Sequence, residues 1–194
     1  EFLYPTDGSR GLSGAMTAID KLDDVGAVAV NWAIYGSSGQ LYADSGIVTQ
    51  RFVHRGENTH NINRHFKSIV RCSSFSSVGV TPHEFVLSKG FRTVSTSGNA
   101  FERGPIEGTT AAVGWERLRL IHYVIKSYEE FLFRKRPRGM VMREGHRDLE
   151  FFPAHDLNDV RDPVPDWLLN ATKSEMSSLM SLVKRGAGRL ESCP

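Results

Sequence analysis

Apolar positions along this chain come in short runs broken by small polar residues, and their spacing changes from segment to segment. Leu12, Ala15, Met16 and Ile19 recur at helical intervals and predict a helix over about 13–22. Residues 26–35 read as a strand, with Val28, Val30 and Trp32 on one face and Ala27, Ala29, Asn31 and Ala33 on the other. Residues 47–53 read as a second strand, 61–66 as a short helical turn, and 67–71 as a third strand of strict alternation. The stretch EFVLSKGFRTVSTS, 84–97, reads as a hairpin turning at Lys89-Gly90. Residues 117–123 form a further alternating strand. Ser127 then stands three before Glu130 as a capping box, opening a helix that should end by Arg136, ahead of Pro137. After Gly139 the chain turns polar and irregular. Thr172 and Glu175 form a second capping box, followed by an amphipathic stripe of Met176, Leu179, Met180 and Val183 that Gly186 should stop. The expected class is mixed α/β, most strands in the middle and the longest helix last.

Composition narrows the functions rather than naming one. The 194 residues suffice for one sizeable core, and 40% hydrophobic with 24% charged residues is ordinary for a globular domain. A formal net charge of +2 is too small to argue for nucleic acid, and Arg134-Lys135-Arg136-Pro137-Arg138 reads as a solvated helix end. No apolar run approaches the ~18 residues of a membrane helix. Cys72 and Cys193 give neither metal spacing nor a disulfide framework. The opening Glu1-Phe2-Leu3, without an initiator Met, suggests a piece of a longer protein.

Candidate chemistry gathers at a few positions. Gly36-Ser37-Ser38-Gly39 lacks the lysine of a phosphate loop and the spacing of a dinucleotide fingerprint. It is either a tight strand-ending turn or a loop of little bulk beside Trp32, where a sugar would meet a ring face and backbone N–H groups. His122 falls near a strand's carboxyl end and a helix start, where open α/β sheets hold ligands. It is either a core histidine or a site for metal or phosphate. His83, in Thr81-Pro82-His83-Glu84, is a second candidate, whereas His54, His60 and His65 read as surface. Lys67 and Arg71 share a strand face that is either solvated or part of a cleft. Asp156, Asp159 and Asp162 lack the glycine and terminal glutamate of a calcium loop.

Several of these stretches follow one another in a recognisable order. EFLYP looks like the end of an Asp-x-Asp-Glu-Phe motif, followed by NWAIYGSSG, GIVTQRF, NRHFKSIVR, TPHEF, RLIHYVIKSYEEFLFRKRPRG and HDLNDVRD. The succession, over roughly residues 1–162, resembles glycosyltransferase family 92 and similar family-2-like bacterial proteins. The resemblance implies a partial GT-A (nucleotide-diphospho-sugar transferase-like) mixed sheet with flanking helices, over 1–165, followed by a C-terminal amphipathic helix and tail, 166–194. It implies transfer from a nucleotide-sugar donor to a glycan hydroxyl acceptor, with inversion and with a divalent cation, manganese or magnesium. Glu1 would adjoin the metal-binding aspartates and His122 would complete the metal site. Trp32, Gly36, Ser37, Ser38 and Gly39 would border the acceptor cleft, with Lys67, Lys126 and Ser127 binding substrate. Members carry Glu-Arg-Phe where this chain has Gln50-Arg51-Phe52, and often a His pair in place of His83-Glu84. Glu84 and His83 are therefore the candidates for the catalytic base. The nucleotide-binding half and both aspartates would precede residue 1, so this piece is expected not to turn over alone. The rival expectation is a non-catalytic carbohydrate-binding module using the same cleft.

Overall fold

The computed structural model describes residues 1–139 and 145–190, with side chains through residue 183; Cys193 lies outside the described residues. Strand β2, Val25–Ile34, is the axis of the fold. Nine of its ten residues are buried, and only Trp32 is partly open. On one edge it pairs antiparallel with β4, Phe66–Val70. Two parallel strands share its other partners in succession: β7, Arg92–Ser95, against Val25–Ala29, and β8, Leu118–His122, against Trp32–Ile34. Strand β1, Phe2–Pro5, closes the sheet antiparallel to β8. Helix α1, Leu12–Asp20, lays Ala15 and Ile19 over Val28, Val30 and Leu118. Mixed α/β architecture is thus established.

Several elements depart from expectation for identifiable reasons. Residues 48–51 form one helical turn, α2, instead of a strand, because Gln50, Arg51 and Phe52 hydrogen-bond back to Ile47 and Val48. The expected hairpin over 84–97 is absent. Its first half, β6, Phe85–Leu87, pairs with β5, Phe75–Val78, and its second half is β7, recruited by β2. Gly90 does make the turn, at φ 94°. The Ser127 capping box forms as read and starts α3, Tyr128–Glu130, which loosens into a π turn, Phe131–Lys135, and a 3-10 turn, Arg136–Arg138. The second capping box does not exist. The last helix starts at Asp166 and runs to Leu190, so Thr172 sits inside it, donating to the Leu168 carbonyl. Leu168 and Leu169 pack on the core, whereas Met176, Leu179, Met180 and Val183 are exposed.

Buried charge ties the two ends of the chain's path together. The short strand β3, His54–Arg55, pairs with β9, Val160–Arg161. Behind them one carboxylate, Asp162, lies 2.5 Å from Arg55 Nε and 2.6 Å from Arg119 Nη1. Arg119 also donates to Tyr35 Oη, which donates to the Asp162 carbonyl, and its guanidinium lies over the Tyr4 ring. Asp162 is the only carboxylate paired with either guanidinium among the described residues, so removing it leaves both uncompensated, which is far costlier than losing a surface pair. Burial raises the Asp162 pKa, but hydrogen bonds from Arg119 and Arg55 outweigh it and hold the group below the ordinary 3.8. With the folded pKa below the unfolded one, this stabilisation is complete above pH 3.8 and fades as pH falls through the lower folded value. Asp162→Asn is therefore expected to lower the unfolding free energy by about 3–5 kcal/mol in urea titrations at neutral pH. The same variant should lose part of the acid-range slope of stability with pH.

Candidate functional site

Paired residues in a sheet send their side chains to the same face, and alternate residues along a strand share a face. Leu120 stands opposite Trp32, His122 opposite Ile34, and Lys67 opposite Val30. Trp32, His122 and Lys67 therefore emerge on one face, at the carboxyl ends of parallel strands β2 and β8. His65 joins them, its carbonyl accepting from the Trp32 N–H at 2.8 Å. They line a cavity of about 500 Å³, with Glu1, His83 and Lys135 among its other walls. Arg147 and His155 reach it from the segment around helix α4, Phe151–His155.

The Trp32 ring is the centre of this cluster. Its centroid lies 4.3 Å from that of His122, 4.9 Å from His65 and 5.5 Å from His83. Every one of these imidazoles has a pKa below the ordinary 6.5. Burial is the leading cause for each, taking His122 to about 3, and the positive charges of Lys135 and Lys67 push His122 the same way. His155 is lowered as well, again mainly by burial. Neutral rings offer lone pairs. His83 Nδ1 lies 2.6 Å from the Phe66 carbonyl, which can only accept, so Nδ1 carries the proton and Nε2 is a free acceptor. Ser68 Oγ donates to the His83 carbonyl at 2.8 Å and fixes the loop that presents the ring.

Three buried polar atoms on residues lining the cavity have no partner among the described residues: Trp32 Nε1, His122 Nδ1 and Arg147 Nε. His122 Nδ1 lies 3.4 Å from Glu1 Oε1 without hydrogen-bond alignment, and a ring held neutral makes no ion pair across that gap. The carboxylate is a donor that suits manganese or magnesium, whereas the imidazole is a softer donor that magnesium in particular does not favour. Among the described residues, no group of three or more such side chains gathers, so this pair would furnish two ligands.

The remaining expected site residues lie elsewhere. Gly36-Ser37-Ser38-Gly39 turns away from the cavity and docks on the loop after α4. The Ser37 and Ser38 N–H groups donate to Asp156 and Asn158, and Ser38 Oγ accepts from the Val53 and His54 N–H groups. Of the two readings left open, the strand-ending turn matches this geometry. Glu84 is absent from the cavity lining; its carboxylate lies 2.5 Å from Arg103 and accepts from the Gly108 N–H. Ser127 is fully buried as a helix cap, and Lys126 lines a neighbouring pocket. Conversely, His65 is no surface residue. It caps the short helical turn Asn61–Arg64 just before β4, a stretch whose sequence pattern gave no strand alternation to place it. Lys135, Arg147 and His155 gave no local signal, because they arrive by tertiary folding.

No family model, curated protein or solved structure matches this chain.

The geometry makes two expectations checkable. Histidine ¹⁵N–¹H NMR at pH 7 should find His83 neutral with the proton on Nδ1, titrating below pH 6.5; the opposite tautomer would contradict the geometry. A Cβ at Gly36 would stand 2.5 Å from the Leu157 carbonyl oxygen and from Asn158 Oδ1. Gly36→Ala should thus cost about 1–3 kcal/mol of stability by urea denaturation, by overpacking the turn.

Proposed function

We propose that this chain is the acceptor-side part of a metal-dependent glycosyltransferase, moving a sugar from a nucleotide-sugar donor to a hydroxyl acceptor with inversion. The observation that carries the reading is the cavity at the carboxyl ends of β2 and β8, where Trp32 is ringed by three neutral imidazoles. An indole face suits the C–H surface of a sugar ring. His83 Nε2 is the general base: it takes the acceptor's proton as the oxygen bonds to the anomeric carbon and the bond to the donor phosphate breaks. Lys67 and Lys135 meet negative charge on the departing diphosphate. Glu1 and His122 would hold the cation, which when bound supplies further charge stabilisation for that leaving group. Glu84 has no part in this scheme, since Arg103 and Gly108 already engage it.

The rival reading, a carbohydrate-binding module without catalysis, draws on the same ring face and needs no cation. Calorimetric titration of uridine and guanosine diphosphates into the full-length protein, with and without manganese, separates the two. Sugar transfer predicts binding strengthened at least tenfold by manganese, with the gain abolished in His122→Ala and retained in His83→Ala. Sugar binding indifferent to manganese, with no diphosphate binding, would replace transfer with the module.

A further inference from the structure

A second cavity, of about 250 Å³, adjoins the first. Val124 and Lys135 line both. Four cationic side chains, Lys126, Arg134, Lys135 and Arg138, face it against one carboxylate, Glu130. That carboxylate has partners already: Arg51 Nη2 lies 2.9 Å and Ser127 Oγ 3.0 Å from its Oε2. Lys126 Nζ stands 3.7 Å from the other oxygen. Among the described residues, no carboxylate pairs with Arg134, Lys135 or Arg138.

The surplus is real in the electrostatics as well. The Lys135 pKa is lowered, first by burial and then by repulsion from Arg147; Glu1 opposes this, and Arg138 and Lys126 add smaller repulsions. Lys135 is half-buried beside Lys126, Arg134 and Arg138, of which the two arginines are exposed. Lys126 also occupies the left-handed backbone region at φ 63°, where glycine is at ease and an L-residue is strained. The chain thus holds a strained lysine at the rim of a cationic hollow. A bound dianion would neutralise the repulsion, and guanidinium forks match phosphate oxygens geometrically.

We propose that this pocket is a phosphoryl subsite, holding the phosphate of a ligand whose sugar lies against Trp32 in the adjoining cavity. Phosphate binding there stands by itself. Its assignment to the acceptor, which makes that acceptor a phosphorylated glycan, rests on the sugar-transfer reading.

The test is calorimetry at constant ionic strength with inorganic phosphate, glucose 6-phosphate, glucose and uridine diphosphate. It uses the wild-type chain, an Arg134→Ala/Arg138→Ala double variant and Lys67→Ala. Both arginines lie in a short solvent-facing turn, and circular dichroism with thermal melting verifies that each variant folds. Saturable phosphate binding is expected, weakened at least tenfold in the double variant and by less than twofold in Lys67→Ala. Glucose 6-phosphate should exceed phosphate and glucose in affinity, and lose that advantage in the double variant. No saturable phosphate binding, or an equal or greater loss in Lys67→Ala, overturns the subsite. Uridine diphosphate losing as much as glucose 6-phosphate in the double variant assigns the pocket to the donor and overturns the acceptor assignment. Should sugar transfer fail while the subsite holds, manganese-dependent diphosphate binding will be missing and the phosphate titrations will be unchanged.

Discussion

The parallel pairing of β2 with β8 governs what this fold can do. Two parallel strands end together, and the register that sets Ile34 against His122 brings Trp32 and His122 to one face within ring contact. Antiparallel pairing with β4 adds Lys67 to that face and carries His65 to its rim. Because both faces of β2 are buried, a slip of one position would send the indole into the opposite layer and force Val28, Val30 and Ile34 into space that now fits Ala27, Ala29 and Ala33. The register is therefore held by the same burial that stabilises the sheet. The candidate site is a by-product of a packing constraint, not an addition to it.

Buried polar groups hold the approaches to that site in place. Asn31, on the far face of β2, donates to Thr110 Oγ1 and accepts from the Gly114 N–H, binding the long loop before β8 to the central strand. Asn63 Oδ1 accepts from the Ile34 N–H just where β2 ends. Each is a satisfied amide in a buried position, where loss of one partner would leave a desolvated group behind. Asp162 does the same with charge between Arg55 and Arg119. These contacts span up to 107 residues of chain, so they specify which loops meet rather than any local conformation.

That distinction explains what the sequence could reveal. Helix α1, strands β2, β4 and β8 and the Ser127 cap depend on nearest neighbours and alternation, and they were readable. So was the shared face of Val28, Val30 and Trp32, from which half of the cavity follows. Partner choice was not readable. Nothing local in residues 85–95 says that β6 turns to β5 while β7 joins β2. The glycine-serine turn offered the correct flexibility but no direction, and Asp156 and Asn158, more than a hundred residues away, supplied it. Thr172 and Glu175 had the letters of a cap, yet Asp166 had already started the helix. The basic run at 134–138 reads as solvated, and Arg134 and Arg138 are indeed exposed; a linear reading cannot see that the successive turns set them with Lys135 around one hollow.

Burial and positive charge act together on the histidine cluster, and their combination constrains the ligand. Either influence alone would lower an imidazole pKa; both do so at His122, alongside unneutralised Lys67 and Lys135. A wholly neutral sugar would gain from the ring face but would leave this excess of positive charge uncompensated in a partly dehydrated space. A ligand carrying anionic groups removes that penalty, since each negative charge placed among the cations reverses a repulsion already present in the empty cavity. The same arrival would raise the pKa of nearby imidazoles, making them better proton acceptors while the anion is bound. Charge complementarity and proton transfer are thus coupled through one field, and the proposed ligand, a sugar carrying phosphate, would engage both.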